Sequence, residues 1–158
     1  MDFLAHLAWS IIIFGKITPT NELIQILFFS VFPDLVWGIP AFFLFLLTKL
    51  RGGNTKILIH ERQGWIKNVY YSSHSFVPLF IFFFVFSLIL RSFYMTLLYD
   101  WGLHLLFDMF LHKGTLGNKP LYPVNYKIEG LLHWKNKKFL IANWVLICVL
   151  ILFMFLKA

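Results

Sequence analysis

"YDWGLHLLFDMFLHKG", residues 99–114, sets Asp100, His104, Asp108 and His112 four residues apart in a background of Leu, Phe, Met and Trp. On an α-helix each four-residue step advances about 400° and about 6 Å, so the four side chains share one slowly drifting face about 18 Å long. The residues between them are almost all apolar. The stretch therefore reads as a helix packed among other apolar elements, with a row of acids and imidazoles along one side.

The rest of the chain explains that setting. Of 158 residues 59% are hydrophobic and 13% charged, twenty are Phe, and the mean hydropathy is +0.76. Soluble domains carry roughly a quarter charged residues. A chain this short cannot bury so much apolar surface within itself, which points to a single integral membrane domain over residues 1–158. The net charge of +7 does not describe a nucleic-acid footprint. The basic residues gather in a few polar segments, where they suit anionic headgroups, so membrane lipids are the expected partners and nucleic acid is not. Cys148 is the sole cysteine, which rules out an intramolecular disulfide. The N-terminal "MDFLAHLAWSIIIFG" has Asp2 where a signal peptide carries Lys or Arg and lacks a small-residue cleavage site, so it reads as a helix of the domain.

Residues 3–15 form a short apolar helix, and Thr20 or Asn21 can cap the next, 21–33. Pro33 and Pro40 predict an interruption at "FPDLVWGIP" before an apolar helix resumes over 40–49, unless 21–49 is one broken span. Segments 74–90, 93–112 and 139–156 approach the roughly 20 residues a membrane crossing needs. Arg91 and Ser92 turn the chain between the first two. The fold class expected is all-α, a polytopic membrane bundle of five or six helices, some of them half-spanning. The polar stretch 49–73 holds Lys49, Arg51, Lys56, Arg62 and Lys67. The stretch 113–138 holds Lys113, Lys119, Lys127, Lys135, Lys137 and Lys138. A hairpin of 74–90 and 93–112 puts both stretches on one side, which the positive-inside rule makes cytoplasmic, with the C-terminus outside.

Ionisable residues inside apolar segments are costly and signal function. His104 and Asp108, one turn apart, are close enough to share an ion, and Asp100 and His112 can orient the pair or add a ligand. A polar seam gluing helices is the structural alternative. His6 in "FLAHLAW", Asp34 in "FPDL" and His74 in "SSHSF" add three further groups, with Ser72 or Ser73 available to cap the helix that His74 begins. Asp34 can equally be a helix cap. In the hairpin, His74 meets His104 and Asp108 near one membrane face, and His6 and Asp34 join if the first two helices pair. Imidazoles with carboxylates suit Zn, Mn or Fe better than Ca. His60 and His133 fall in polar stretches and are expected to be solvated. Asp2 and Glu22 read as helix N-terminal or interfacial acids.

The segments "MDFLAHL", "FPDL", "SSHSF", "HLLFDMFLHKG" and "PLYPV" together resemble the membrane-bound metal-dependent hydrolase family, small bacterial inner-membrane proteins. Their order also resembles the zinc-dependent phospholipase C fold. The resemblance implies that Asp34, His74, His104 and Asp108 hold one zinc. It also implies that His6 holds a neighbouring ion with Asp108 as the bridge, and it matches His112 to the family's trailing histidine. It gives Asp100 no role. Three positions depart from the family pattern: "VYYSSHS" lacks a His-Arg-Gly, and Ser73 and Leu111 stand where threonines are usual. The expected function is hydrolysis of a phosphodiester or other ester, such as that of a lipid, by metal-activated water, with Asp34 as general base. The alternative is a non-catalytic membrane protein with a structural metal site or a proton or metal-ion path.

Overall fold

The computed structural model describes residues 2–16, 19–53, 64–91, 95–113, 117–133 and 136–156. It contains helices α1 (Phe3–Phe14), α2 (Thr20–Leu50), α3 (Gly64–Ser73), α4 (Phe76–Leu90), α5 (Met95–Leu111) and α6 (Lys137–Leu156). Among the described residues there is no strand, only an antiparallel bridge between Asn118 and Ile128. The basic residues Lys56 and Arg62 and the imidazole of His60 lie outside the described residues.

The local chemistry of each helix end explains where it starts and stops. The Asp2 carboxylate accepts the Ala5 N–H at 3.0 Å and opens α1. The Ser75 hydroxyl caps α4 by accepting the Val77 N–H, so Ser75 takes the role expected of Ser72 or Ser73, and His74 lies in the bend before the helix. Arg91 ends α4 in the left-handed region, at φ 50°; Ser92, its expected partner in the turn, lies outside the described residues. At α2 the cap position is Pro19, one residue before Thr20.

The clearest correction concerns α2. It runs unbroken for 31 residues through Pro33 and Pro40, about 46 Å at 1.5 Å per residue. Asp34 consequently lies inside a helix and caps nothing. A proline removes one backbone hydrogen bond and crowds the preceding turn. Where water is scarce, breaking the helix outright would leave more backbone groups unsatisfied than that.

α5 is the central element. Leu97, Trp101 and Leu105 pack with Phe29 of α2 and with Leu79 and Phe83 of α4. Leu111, at its far end, joins Ala5 and Ala8 of α1 and Ile147 of α6. The same helix buries Asp100, His104 and Asp108. Among the described residues two helices, Glu22–Leu50 within α2 and Lys137–Leu156, are long and apolar enough to cross a membrane, or three if α3 and α4, bent by 62°, count as one span. Apolar helices account for fewer crossings than the segment pattern suggested, because α1 and α5 are short and α5 is spent on the interior.

The loop between α5 and α6 folds back over the helix ends. The Phe76 N–H and the Ser75 hydroxyl both donate to the Pro120 carbonyl, at 2.9 Å each. The Gly130 and Leu132 N–H groups donate to the carbonyls of His112 and Phe110. The start of α4 and the end of α5 are therefore neighbours, as the hairpin reading required.

Candidate metal centre

Four side chains from α2, the α3–α4 bend and α5 converge. Asp34, His74, His104 and Asp108 each offer one ligand atom, and the four atoms lie within 4.8 Å of one another. The two Nε2 atoms of His74 and His104 are 3.4 Å apart. Asp108 Oδ2 is 3.4 Å from His104 Nε2 and 3.5 Å from His74 Nε2. Asp34 Oδ1 is 3.5 Å from His74 Nε2 and 3.9 Å from His104 Nε2. Ligands about 2.1 Å from a tetrahedral ion lie about 3.4 Å from each other, and most of these separations match.

The imidazoles are oriented from behind. His104 Nδ1 lies 2.7 Å from the Ser30 carbonyl, and His74 Nδ1 lies 3.0 Å from the Tyr70 carbonyl. A carbonyl can only accept, so each Nδ1 carries a proton, and each Nε2 is left to present a lone pair to a cation or to hold a second proton against the carboxylates. Two imidazole Nε2 atoms and two carboxylates then face one another, an arrangement that a metal ion, or protons on the imidazoles, would neutralise. The donor set and its outer hydrogen bonds could hold a metal ion.

His6 and His112 meet the other oxygen of Asp108. Its Oδ1 is 3.2 Å from His6 Nε2 and 3.6 Å from His112 Nε2. The His6 ring also stacks on that of His104, with centroids 3.8 Å apart. His112 follows the last residue of α5; burial lowers its pKa from 6.5 to about 4, against the pull of the Asp108 carboxylate, so its ring is neutral. Four of the five residues expected to ligate share the cluster, and His6, the fifth, lies with His112 against the other oxygen of Asp108.

Asp100 is not brought in. Two turns along α5 from Asp108, it is about 12 Å away along the axis. It is buried beside Ser10 of α1, whose hydroxyl is its polar neighbour, and lies outside the ligand cluster. His133 is exposed, as expected.

Two residues at the site were not singled out in the sequence. Tyr70 bonds His112 Nδ1 and Asn118 through its hydroxyl and stacks on His74 with centroids 4.2 Å apart. Its position one helical turn before His74, in "YYSSH", is the one hint the sequence offers. Asn118 reaches Tyr70 from the α5–α6 loop, a tertiary pairing with no local signal.

Among the described residues, the fold and site together define an all-helical chain with helices long and apolar enough to cross a membrane and a His/Asp cluster that could hold a metal ion. Comparisons with protein-family models, curated proteins and solved structures find no match.

Proposed function

We propose that the protein is a membrane-embedded, metal-dependent hydrolase of a phosphodiester or other ester, with a lipid as the preferred substrate class. The observation that supports this reading best is the convergence of four ligand atoms at near-tetrahedral separations. A divalent ion held there, zinc by preference and manganese or iron by the same donor chemistry, would acidify a water molecule and polarise the scissile oxygen.

The chain's own residues divide the remaining work. His74, His104 and Asp108 are buried and serve as fixed ligands. The Asp34 side chain is 21% exposed, the open edge of the cluster. Its Oδ1 faces the imidazoles, which leaves Oδ2 to take a proton from the attacking water. Asp108 links the four-atom cluster to His6, so a second ion at His6 is part of the proposal. The protein would sit in a bacterial inner membrane with the 49–73 and 113–138 segments on the cytoplasmic side. A transport path would need polar groups continuing through the bundle. Asp100, isolated by about two turns, does not extend the cluster, which favours a compact catalytic site.

The test is to purify the protein in detergent, measure bound metal, and assay hydrolysis of lipid phosphodiesters. Stoichiometric metal and chelator-sensitive turnover, both lost in His104→Ala and Asp108→Ala, are expected. A native protein free of metal ends the proposal. Metal without turnover on any ester replaces it with a structural metal site or an ion path.

A further inference from the structure

Tyr70 holds two of the site's imidazoles at once. Its backbone carbonyl accepts from His74 Nδ1, its ring stacks on His74, and its hydroxyl meets His112 Nδ1. Counting protons makes the hydroxyl informative. It has one hydrogen, yet it lies against His112 Nδ1 and, at 2.9 Å, Asn118 Oδ1. The Asn118 side chain is 1% exposed, and its Nδ2 has no partner. A buried amide nitrogen left idle beside an overcommitted hydroxyl signals an amide whose oxygen and nitrogen should be exchanged.

With that exchange Asn118 Nδ2 donates to the Tyr70 oxygen, and the Tyr70 hydroxyl donates to His112 Nδ1. The His112 proton then sits on Nε2 and faces Asp108 Oδ1. We propose that Tyr70 is a positioning residue that, through His112, orients the Asp108 carboxylate so that Oδ2 is delivered to the metal cluster. The relay runs Asn118, Tyr70, His112, Asp108. It rests on the metal-site reading above but not on any hydrolytic activity. Outer hydrogen bonds of this kind change metal affinity by about 10–100-fold.

The experiment uses the full chain in detergent, with cobalt(II) and zinc as probes. Tyr70→Phe keeps the ring that stacks on His74 and removes only the hydroxyl. It is expected to weaken cobalt and zinc binding by about tenfold or more. His112→Ala should weaken binding comparably, and the double variant should be no weaker than His112→Ala alone, because both act along one path. Nitrogen NMR of labelled histidine should show His112 protonated at Nε2 in the native protein and losing that preference in Tyr70→Phe. Should Tyr70→Phe unfold, Asn118→Ala and the native tautomer carry the test. Asn118→Ala is then expected to weaken both metals. Native affinity in Tyr70→Phe or Asn118→Ala, additive losses in the double variant, or a His112 proton on Nδ1 would each overturn the relay. Those results leave hydrolysis untouched. A native protein that binds neither metal overturns the relay and the function together, while metal binding without turnover removes only the function.

Discussion

A Cβ on Gly130 would come within 2.7 Å of the Phe110 carbonyl oxygen and 2.8 Å of the His112 nitrogen. The close approach is what lets Gly130 donate its N–H to the His112 carbonyl at 3.0 Å, with Leu132 serving Phe110 two residues earlier. These bonds satisfy carbonyls that the end of α5 leaves open. Gly130→Ala must lift the loop off backbone, which cannot yield as a side chain would. A loss of about 1–3 kcal/mol is expected, read as a lower thermal unfolding midpoint in detergent. An unchanged midpoint would show that the loop gives way freely. Asp100 predicts the opposite sense. Its carboxylate is buried with the Ser10 hydroxyl as its polar neighbour and lies outside the ligand cluster, so the buried charge is a cost to the fold. Asp100→Asn should keep full metal content and leave the midpoint unchanged or raised. A fall in bound metal would place Asp100 in the site after all.

At the scale of helices, α2 shows how local irregularity is put to use. Pro33 withholds the N–H that would bind the Phe29 carbonyl, and its ring crowds that turn. The neighbouring Ser30 carbonyl is the one that receives His104 Nδ1 at 2.7 Å. Pro33→Ala improves intrinsic helix propensity by about 3 kcal/mol. It should nevertheless weaken metal binding by about tenfold, because a straightened turn withdraws the carbonyl that fixes the imidazole. Titration with cobalt would reveal this, and native affinity would show that the turn's shape is immaterial. The same helix marks the limit of what the sequence makes legible. Acids and imidazoles stand out in an apolar chain, so His6, Asp34, His74, His104 and Asp108 were readable. The prolines read as breaks, because propensity is local while the choice between a kinked helix and a broken one depends on what surrounds it. Ser30, Tyr70 and Asn118 were silent for a different reason. Their roles depend on partners 74, 42 and 48 residues away, and one of those roles belongs to a backbone carbonyl that no side chain announces.

For the whole molecule, the cluster is a junction: α2 supplies Asp34, the α3–α4 bend supplies His74, and α5 supplies His104 and Asp108. An ion bound there ties these elements together and is linked to folding itself. Without it, the two carboxylates must be balanced by protons on the facing imidazoles, a weaker tie between the elements than an ion shared by all four. A ligand that binds the folded form alone at 100 times its dissociation constant stabilises by about 2.7 kcal/mol. Thermal unfolding in detergent should therefore shift upward with added zinc and downward with a strong chelator. The shift should vanish in His104→Ala, which removes a ligand, and persist in Asp100→Asn, which does not. That contrast separates a specific ion from general charge screening, since both variants remove an ionisable group from the same face of α5. A midpoint indifferent to chelator in the native protein would mean that the four atoms are held by packing and protons alone. Equal responses in the two variants would mean that zinc acts elsewhere on the chain. The expected pattern, response in the native chain and Asp100→Asn but none in His104→Ala, makes the cluster the element that joins α2, α4 and α5 into one body.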